Sequence, residues 1–212
     1  MTDIGGLDGA ELARHLRDPE GAAGLAVIGG LAVVNAAGSA LALEQLGVES
    51  GMAVLELGCG LGDLAAAVTA SGEGVRYVGV DRSKTMIAAA TERHAEAIAS
   101  GETEFHLATS EALPFARETF DRVLSLGLIH FWTDPAASLA EVRRVLRPAG
   151  RMAMGCLGPD RAPPFAVTDN GFHLRPADEW RDLCVAAGFA GCEVVKLDDP
   201  ERPQGLLVMA DA

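Results

Sequence analysis

The segment Val54-Leu-Glu-Leu-Gly58-Cys-Gly60-Leu-Gly62-Asp63 constrains the chain more than any other. A short apolar run ends in three alternating glycines and leads into a stretch of helix-forming residues. Glycine adopts positive φ without steric cost and lets a ligand touch the main chain. At the carboxyl end of a parallel strand, such a turn lies where open α/β sheets bind their ligands. The spacing also selects among ligands. A dinucleotide turn reads G-x-G-x-x-G and aims a helix N-terminus at a pyrophosphate, whereas Asp63 stands where the third glycine would fall. Glu56, at the mouth of the turn, adds a carboxylate that repels pyrophosphate and suits an ammonium or sulfonium charge. The next apolar run, Val75 to Val80, delivers Asp81 at its end. A carboxylate there can accept both hydroxyls of a ribose, each charge-assisted bond contributing about 1.5–3 kcal/mol. The expected ligand is a cationic nucleoside.

From Ala53 onward, short apolar runs alternate with amphipathic segments of helix length. Strands are predicted at Ala53–Leu57, Val75–Val80, Phe105–Leu107, Asp121–Leu126 and Arg151–Cys156. Helices are predicted from Leu61 to Ser71, Lys84 to Ala99 and Pro135 to Leu146, the last capped by Asp134 and stopped by the turn Pro148-Ala149-Gly150. This alternation predicts an α/β fold, a mostly parallel sheet with helices on both faces. The tail differs. After a helix from Pro176 to Ala187, the runs Cys192–Leu197 and Leu206–Met209 flank the acidic turn Asp198-Asp199-Pro200-Glu201-Arg202-Pro203, which predicts a closing antiparallel hairpin. Residues 1–50 are predicted to form a helical cap on a domain spanning 51–212.

Composition narrows the partners. Acidic residues outnumber basic ones by 30 to 17, a net charge of −13. Such a surface repels phosphate backbones, and no basic run overrides it, so nucleic acid is not the expected partner. A small molecule is. Cys59, Cys156, Cys184 and Cys192 show no CxxC or paired-histidine spacing, which predicts no structural metal, no disulfide framework and a reducing cytoplasm. Residues 21–43 carry no charge and have the length of a bilayer span. They are mostly Ala and Gly, contain Asn35 and Ser39, and lack flanking anchors, so buried packed helices are expected and a membrane span is not.

The glycine turn with Glu56 and Asp81 resembles motif I and the following acidic motif of class I S-adenosylmethionine-dependent methyltransferases. The resemblance continues through Glu111-Ala-Leu-Pro114-Phe115, Phe120-Asp121-Arg-Val123, Leu139-Ala-Glu141-Val-Arg-Arg-Val-Leu146-Arg-Pro148-Ala-Gly150 and Ala187-Gly188-Phe189. It is strongest to the small-molecule branch typified by the ubiquinone/menaquinone C-methyltransferases. It implies a Rossmann-like sheet of seven strands whose last runs antiparallel. It also implies S-adenosylmethionine as cofactor, with S-adenosylhomocysteine as product. Carried over by position, Glu56, Gly58, Cys59, Gly60 and Gly62 would hold the methionine portion, and Asp81 with Arg82 the ribose. Ser110 and Glu111 would edge the adenine beside Thr109, and Leu126 and Gly127 would line the cofactor. Two positions depart from the family pattern. Thr109 replaces a common acidic residue, and Gly127 replaces a larger polar one.

The cofactor brings its own reactive methyl group, so the protein mainly has to align an acceptor in line with it. An oxygen or carbon nucleophile also needs a base. His130, in Leu128-Ile-His130-Phe131-Trp132, and His173, in Asn170-Gly-Phe172-His173, are the candidates; His15, His94 and His106 read as structural or solvated. Phe131, Trp132, Phe165 and Phe172 are candidates for an apolar acceptor wall, and Asn35 for an acceptor contact. Methyl transfer to a small apolar or aromatic acceptor is the leading reading, with a homodimer compatible. A catalytically silent cofactor-binding protein and a nicotinamide oxidoreductase are the alternatives.

Overall fold

The computed structural model describes residues 7–160, 162–167, 170–197 and 205–212 and, among these, all side chains except those of 32–37 and 167. The expected turn 198–203 falls outside this set apart from its flanks, and so does the Asn35 side chain.

Seven strands form one sheet: β1 Ala53–Leu57, β2 Arg76–Asp81, β3 Thr103–Leu107, β4 Phe120–Leu126, β5 Leu146–Leu157, β6 Gly191–Leu197 and β7 Gly205–Asp211. Their order is β3-β2-β1-β4-β5-β7-β6. The pairs from β3 to β5 are parallel, and β7 runs antiparallel to both β5 and β6. The predicted α/β sheet and its closing hairpin are therefore both present. Strand order reverses between β1 and β4, which opens a crevice at their carboxyl ends. The glycine turn and Leu126-Gly127 both leave their strands at that crevice.

Every position of β1 is buried, as a central strand covered on both faces requires. Alternation along β1 divides its side chains between two cores. Leu55 and Leu57 join Val123, Leu139, Val142 and Trp180 beneath α6 (Pro135–Val145) and α8 (Ala177–Ala186). Val54 faces the other way, with Tyr77, Leu124, Ala65 and Val68, beneath α2 (Gly21–Leu46) and α3 (Ala65–Thr69).

Among the described residues of the first fifty, two helices form. A helix α1, Gly9–Arg17, starts on Asp8, which caps Ala10 and Glu11 while the Glu11 side chain returns to the Asp8 amide. Helix α2 then runs 26 residues to Gly47, whose left-handed φ of 61° ends it. Its last turns are part of the sheet core, with Ala42 and Leu46 fully buried. Among the described residues, no helix is long and apolar enough to cross a membrane.

Beyond shifts of one or two residues at strand and helix ends, three elements differ from expectation. The helix after the glycine turn starts only at Ala65, because residues 60–64 extend the turn. The helix from Lys84 breaks into α4 (Lys84–Arg93) and α5 (Ala95–Ala99) at His94, whose ψ of 24° leaves the helical region and whose ring bonds the Leu61 carbonyl. Strand β5 begins at Leu146 and carries Pro148-Ala149-Gly150 within it, with Ala149 at a φ of 62°. Two short elements complete the chain: a 3-10 turn at Ile129–Phe131 and helix α7 at Pro164–Val167.

Candidate functional site

The turn after β1 is built from backbone. Gly58, Gly60 and Gly62 adopt φ of 69°, 53° and 70°, a region closed to most side chains. Space is lacking as well. A Cβ on Gly58 would lie 3.1 Å from Leu128, one on Gly60 would lie 3.0 Å from Ile28 of α2, and one on Gly62 would lie 2.7 Å from the Phe105 ring. The amides of Gly58 and Cys59 both donate to the Val80 carbonyl, at 2.8 and 3.0 Å, which ties the turn to the end of β2. The Cys59 side chain turns inward to the core, where burial raises its thiol pKa well above normal. At this position only the main chain faces a ligand.

Asp81 closes β2, only 9% exposed. One carboxylate oxygen accepts the Gly60 amide at 3.0 Å and the other accepts the Ser83 amide at 2.8 Å. A carboxylate offers about four acceptor sites, so both oxygens keep capacity for a diol while their direction is fixed. Burial raises the carboxyl pKa, and these two amide bonds oppose that shift.

Glu56 is more extreme. It is 5% exposed and accepts a hydrogen bond from the Tyr77 hydroxyl at 2.5 Å. Burial pushes its pKa up to about 8, and the Tyr77 bond only partly offsets this. Tyr77 went unnoticed as a site residue. The available signal was parity: in the parallel register it lies opposite Val54, so it shares the face of Glu56.

The segment after Asp81 holds the N-terminal helices. Ser83 Oγ donates to the Pro19 carbonyl at 2.6 Å, and Arg82 donates to the Arg17 carbonyl at 2.7 Å with Asp18 3.7 Å away. Arg82, expected beside the ribose, thus directs its guanidinium to the α1–α2 connection. Ser110 is buried against Ser138 of α6, with the hydroxyls 3.0 Å apart, while Glu111 is exposed. The loop carrying them is pinned from α6. Glu141 accepts the Leu113 amide at 2.9 Å, and Arg144 donates to the carbonyls of Leu113 and Phe115.

Across the crevice, Leu126 ends β4 and Gly127 turns with a φ of 80°, with no atom near the position of its missing Cβ. His130 follows, 6% exposed. Its Nδ1 accepts the Leu157 amide at 3.3 Å, which leaves the ring proton on Nε2. Burial pushes its pKa down to about 3. The ring stacks on Phe172 at 5.1 Å and 11°. Phe131 and Phe165 pack on the same Phe172 ring, at 4.5 and 5.8 Å. Three of the four expected wall aromatics therefore converge. Trp132 does not: it is 3% exposed, packed against Trp180 in the core. The His173 amide donates to the His130 carbonyl at 2.7 Å, which fixes the two candidate histidines side by side. Helix α1 reaches this cluster, with Gly9 against Phe165.

The glycine cradle, the Asp81 carboxylate and a buried Glu56 that faces no cation among the described residues are the features with which known proteins can be compared. A family model described as a methyltransferase domain matches residues 55–154. The O-methyltransferase resE of Aspergillus sclerotiorum is 28% identical over 166 residues, covering 75% of this chain and 62% of that protein. Methyltransferase GfsG of Streptomyces halstedii is 30% identical over 176 residues, covering 78% and 63%. The chain thus spans about three-fifths of the length of these curated relatives. A crystal structure of a SAM-dependent methyltransferase from Aquifex aeolicus has the same fold, with a TM-score of 0.64 at 19% identity over 96% of this chain and 98% of that one. From the glycine turn through β5 this chain is thus similar to a methyltransferase domain, and its sheet has the fold of a SAM-dependent methyltransferase.

Proposed function

We propose that the protein transfers a methyl group from S-adenosylmethionine to an oxygen of a small aromatic or apolar molecule by in-line displacement. The observation that carries this reading is the pair of buried carboxylates flanking the glycine turn, Asp81 with acceptor capacity left over and Glu56 without a cation. When bound, the cofactor supplies a methyl group already activated on sulfonium. The chain's own residues then have three tasks: to hold the ribose at Asp81, to hold the methionine portion at the turn, and to align the acceptor.

The oxygen acceptor is supported by the relative named as an O-methyltransferase, and the small apolar acceptor by the ring cluster of Phe131, Phe165 and Phe172. The net charge of −13 argues against nucleic acid, and the free thiols Cys59, Cys156, Cys184 and Cys192 suit a reducing cytoplasm. An oxygen nucleophile needs its proton removed. We assign that role to His173. His130 already accepts an amide on Nδ1 and is buried in a state that resists a second proton, so its role is to hold the His173 backbone through its own carbonyl.

The test is S-adenosylhomocysteine formation over a panel of phenols, hydroquinones and amines. Turnover with a phenol, lost in His173→Ala and kept in His130→Gln, is the expected result. Calorimetric binding of S-adenosylhomocysteine with no turnover across the panel would favour a silent binding protein. Binding of NAD in its place would revive the oxidoreductase.

A further inference from the structure

Glu56 has an unusual set of neighbours. From β2 it faces the Tyr77 hydroxyl and the Asp81 carboxylate; from the turn, the Cys59 thiol and Asp63. Leu124 of β4 and Ala65 and Val68 of α3 are the apolar members of the same face. The cations nearby are engaged elsewhere. Arg93 of α4 pairs with Asp63 at 2.5 Å, and Arg82 turns to Arg17 and Asp18. His94 contacts the Leu61 carbonyl at 3.1 Å. Among the described residues, no cation pairs with Glu56. A buried carboxyl facing other carboxylates and no cation retains its proton.

We propose that Glu56 is a proton-linked counter-ion: the empty turn keeps it as the neutral acid, and the cofactor's ammonium group ionises it on binding. The O–H bond of the acid breaks, its electron pair stays on the carboxylate that faces the incoming ammonium, and the proton leaves to solvent. Tyr77 is the positioning residue, since its hydroxyl donates to the carboxylate and makes ionisation less costly. The inference rests on the S-adenosylmethionine reading above and adds a linkage to it. Because the bound state carries one proton fewer, raising the pH strengthens binding. The gain approaches tenfold per pH unit below the empty-site pKa and levels off above about 8.

Calorimetry on the full chain tests this, with S-adenosylhomocysteine as ligand at pH 7 in two buffers of unequal protonation enthalpy. Net proton release should accompany binding, about half a proton or more per ligand. The probe 5′-methylthioadenosine keeps the nucleoside thioether and lacks the ammonium, and should release none. Glu56→Gln should abolish the release and flatten the affinity between about pH 6 and 8, while Tyr77→Phe should keep the release and move the midpoint upward. A slope that survives Glu56→Gln would belong to another group and overturn the proposal. So would equal release by both ligands, or wild-type binding with no release, a comparison that needs no variant to fold. No binding of S-adenosylhomocysteine at any pH would instead remove the cofactor reading itself.

Discussion

The two sides of the crevice are made by different means. On the β1–β2 side, one continuous turn is backed by two buried carboxylates, and the hydrogen bonds of the Gly58, Cys59 and Gly60 amides and the Asp81 carboxylate run within residues 56–83. On the β4–β5 side, the surface is assembled from rings on separate segments: Phe131 in the 3-10 turn, Phe165 on α7, and Phe172 beyond it, with Gly9 of α1 against Phe165. The first side is fixed by main-chain geometry, which few sequences can satisfy. The second is fixed by side-chain packing, which many sequences can. A site divided this way can keep its donor while its acceptor changes.

The sharpest way to break that division is to spoil the backbone side alone. Gly62→Val places a branched side chain at a φ of 70° and against the Phe105 ring. Cofactor affinity should fall by about a hundredfold or more, with a stability cost of about 1–3 kcal/mol from strain. Titration calorimetry and thermal unfolding measure the two effects separately. Asp81→Ala should weaken cofactor binding by about one to two decades with the fold intact, from the charge-assisted bonds lost. Unchanged affinity in the folded variant would detach the ribose from Asp81.

The opposite perturbation is Phe172→Ala. It removes the ring shared by His130, Phe131 and Phe165, and aromatic pairs of this kind contribute about 0.5–1.5 kcal/mol. The acceptor KM should rise several-fold while the cofactor Kd stays within about twofold, as initial-rate kinetics beside calorimetry would reveal. Equal loss of both affinities would mean that the two sides are not separable.

A control lies at the far end of the sheet. Asp121 accepts the Ala53 amide at 2.8 Å and pairs with Arg147, and these bonds, opposed by partial burial, hold its carboxyl below the ordinary range. Its contribution is complete above the unfolded-state pKa of 3.8 and is lost as pH falls through its lower folded value. Asp121→Ala should therefore cost about 1–2 kcal/mol at neutral pH. The difference from wild type should shrink below pH 3.8 in denaturant titrations, with no effect on either ligand.

The same contrast explains what could be read in advance. Strands β1 to β4 follow from apolar runs, and the turn from glycine spacing, because both are local. The break at His94 depends on a bond to Leu61, distant in sequence, and was invisible. Tyr77 was missed because its partner is on another strand. Trp132 was misplaced for the converse reason: proximity to Phe131 in sequence suggested a shared wall, while the 3-10 turn sends the two rings to different sides. Ser110 and Arg82 sit where family positions place them, yet Ser138 and the α1–α2 connection claim their polar groups.

The glycine turn is flanked by Ile28 on one side and Leu128 on the other, each within about 3 Å of where a Cβ would stand. Ile28 belongs to the N-terminal helices and Leu128 to the loop that leads into His130. The turn is thus a party wall between two rooms. A change that reshapes the N-terminal helices or the loop after β4 would press on the turn through these two side chains, even with every glycine retained. On the proposed function, Ile28 and Leu128 are therefore the two positions at which a reshaped acceptor pocket would be felt by the turn.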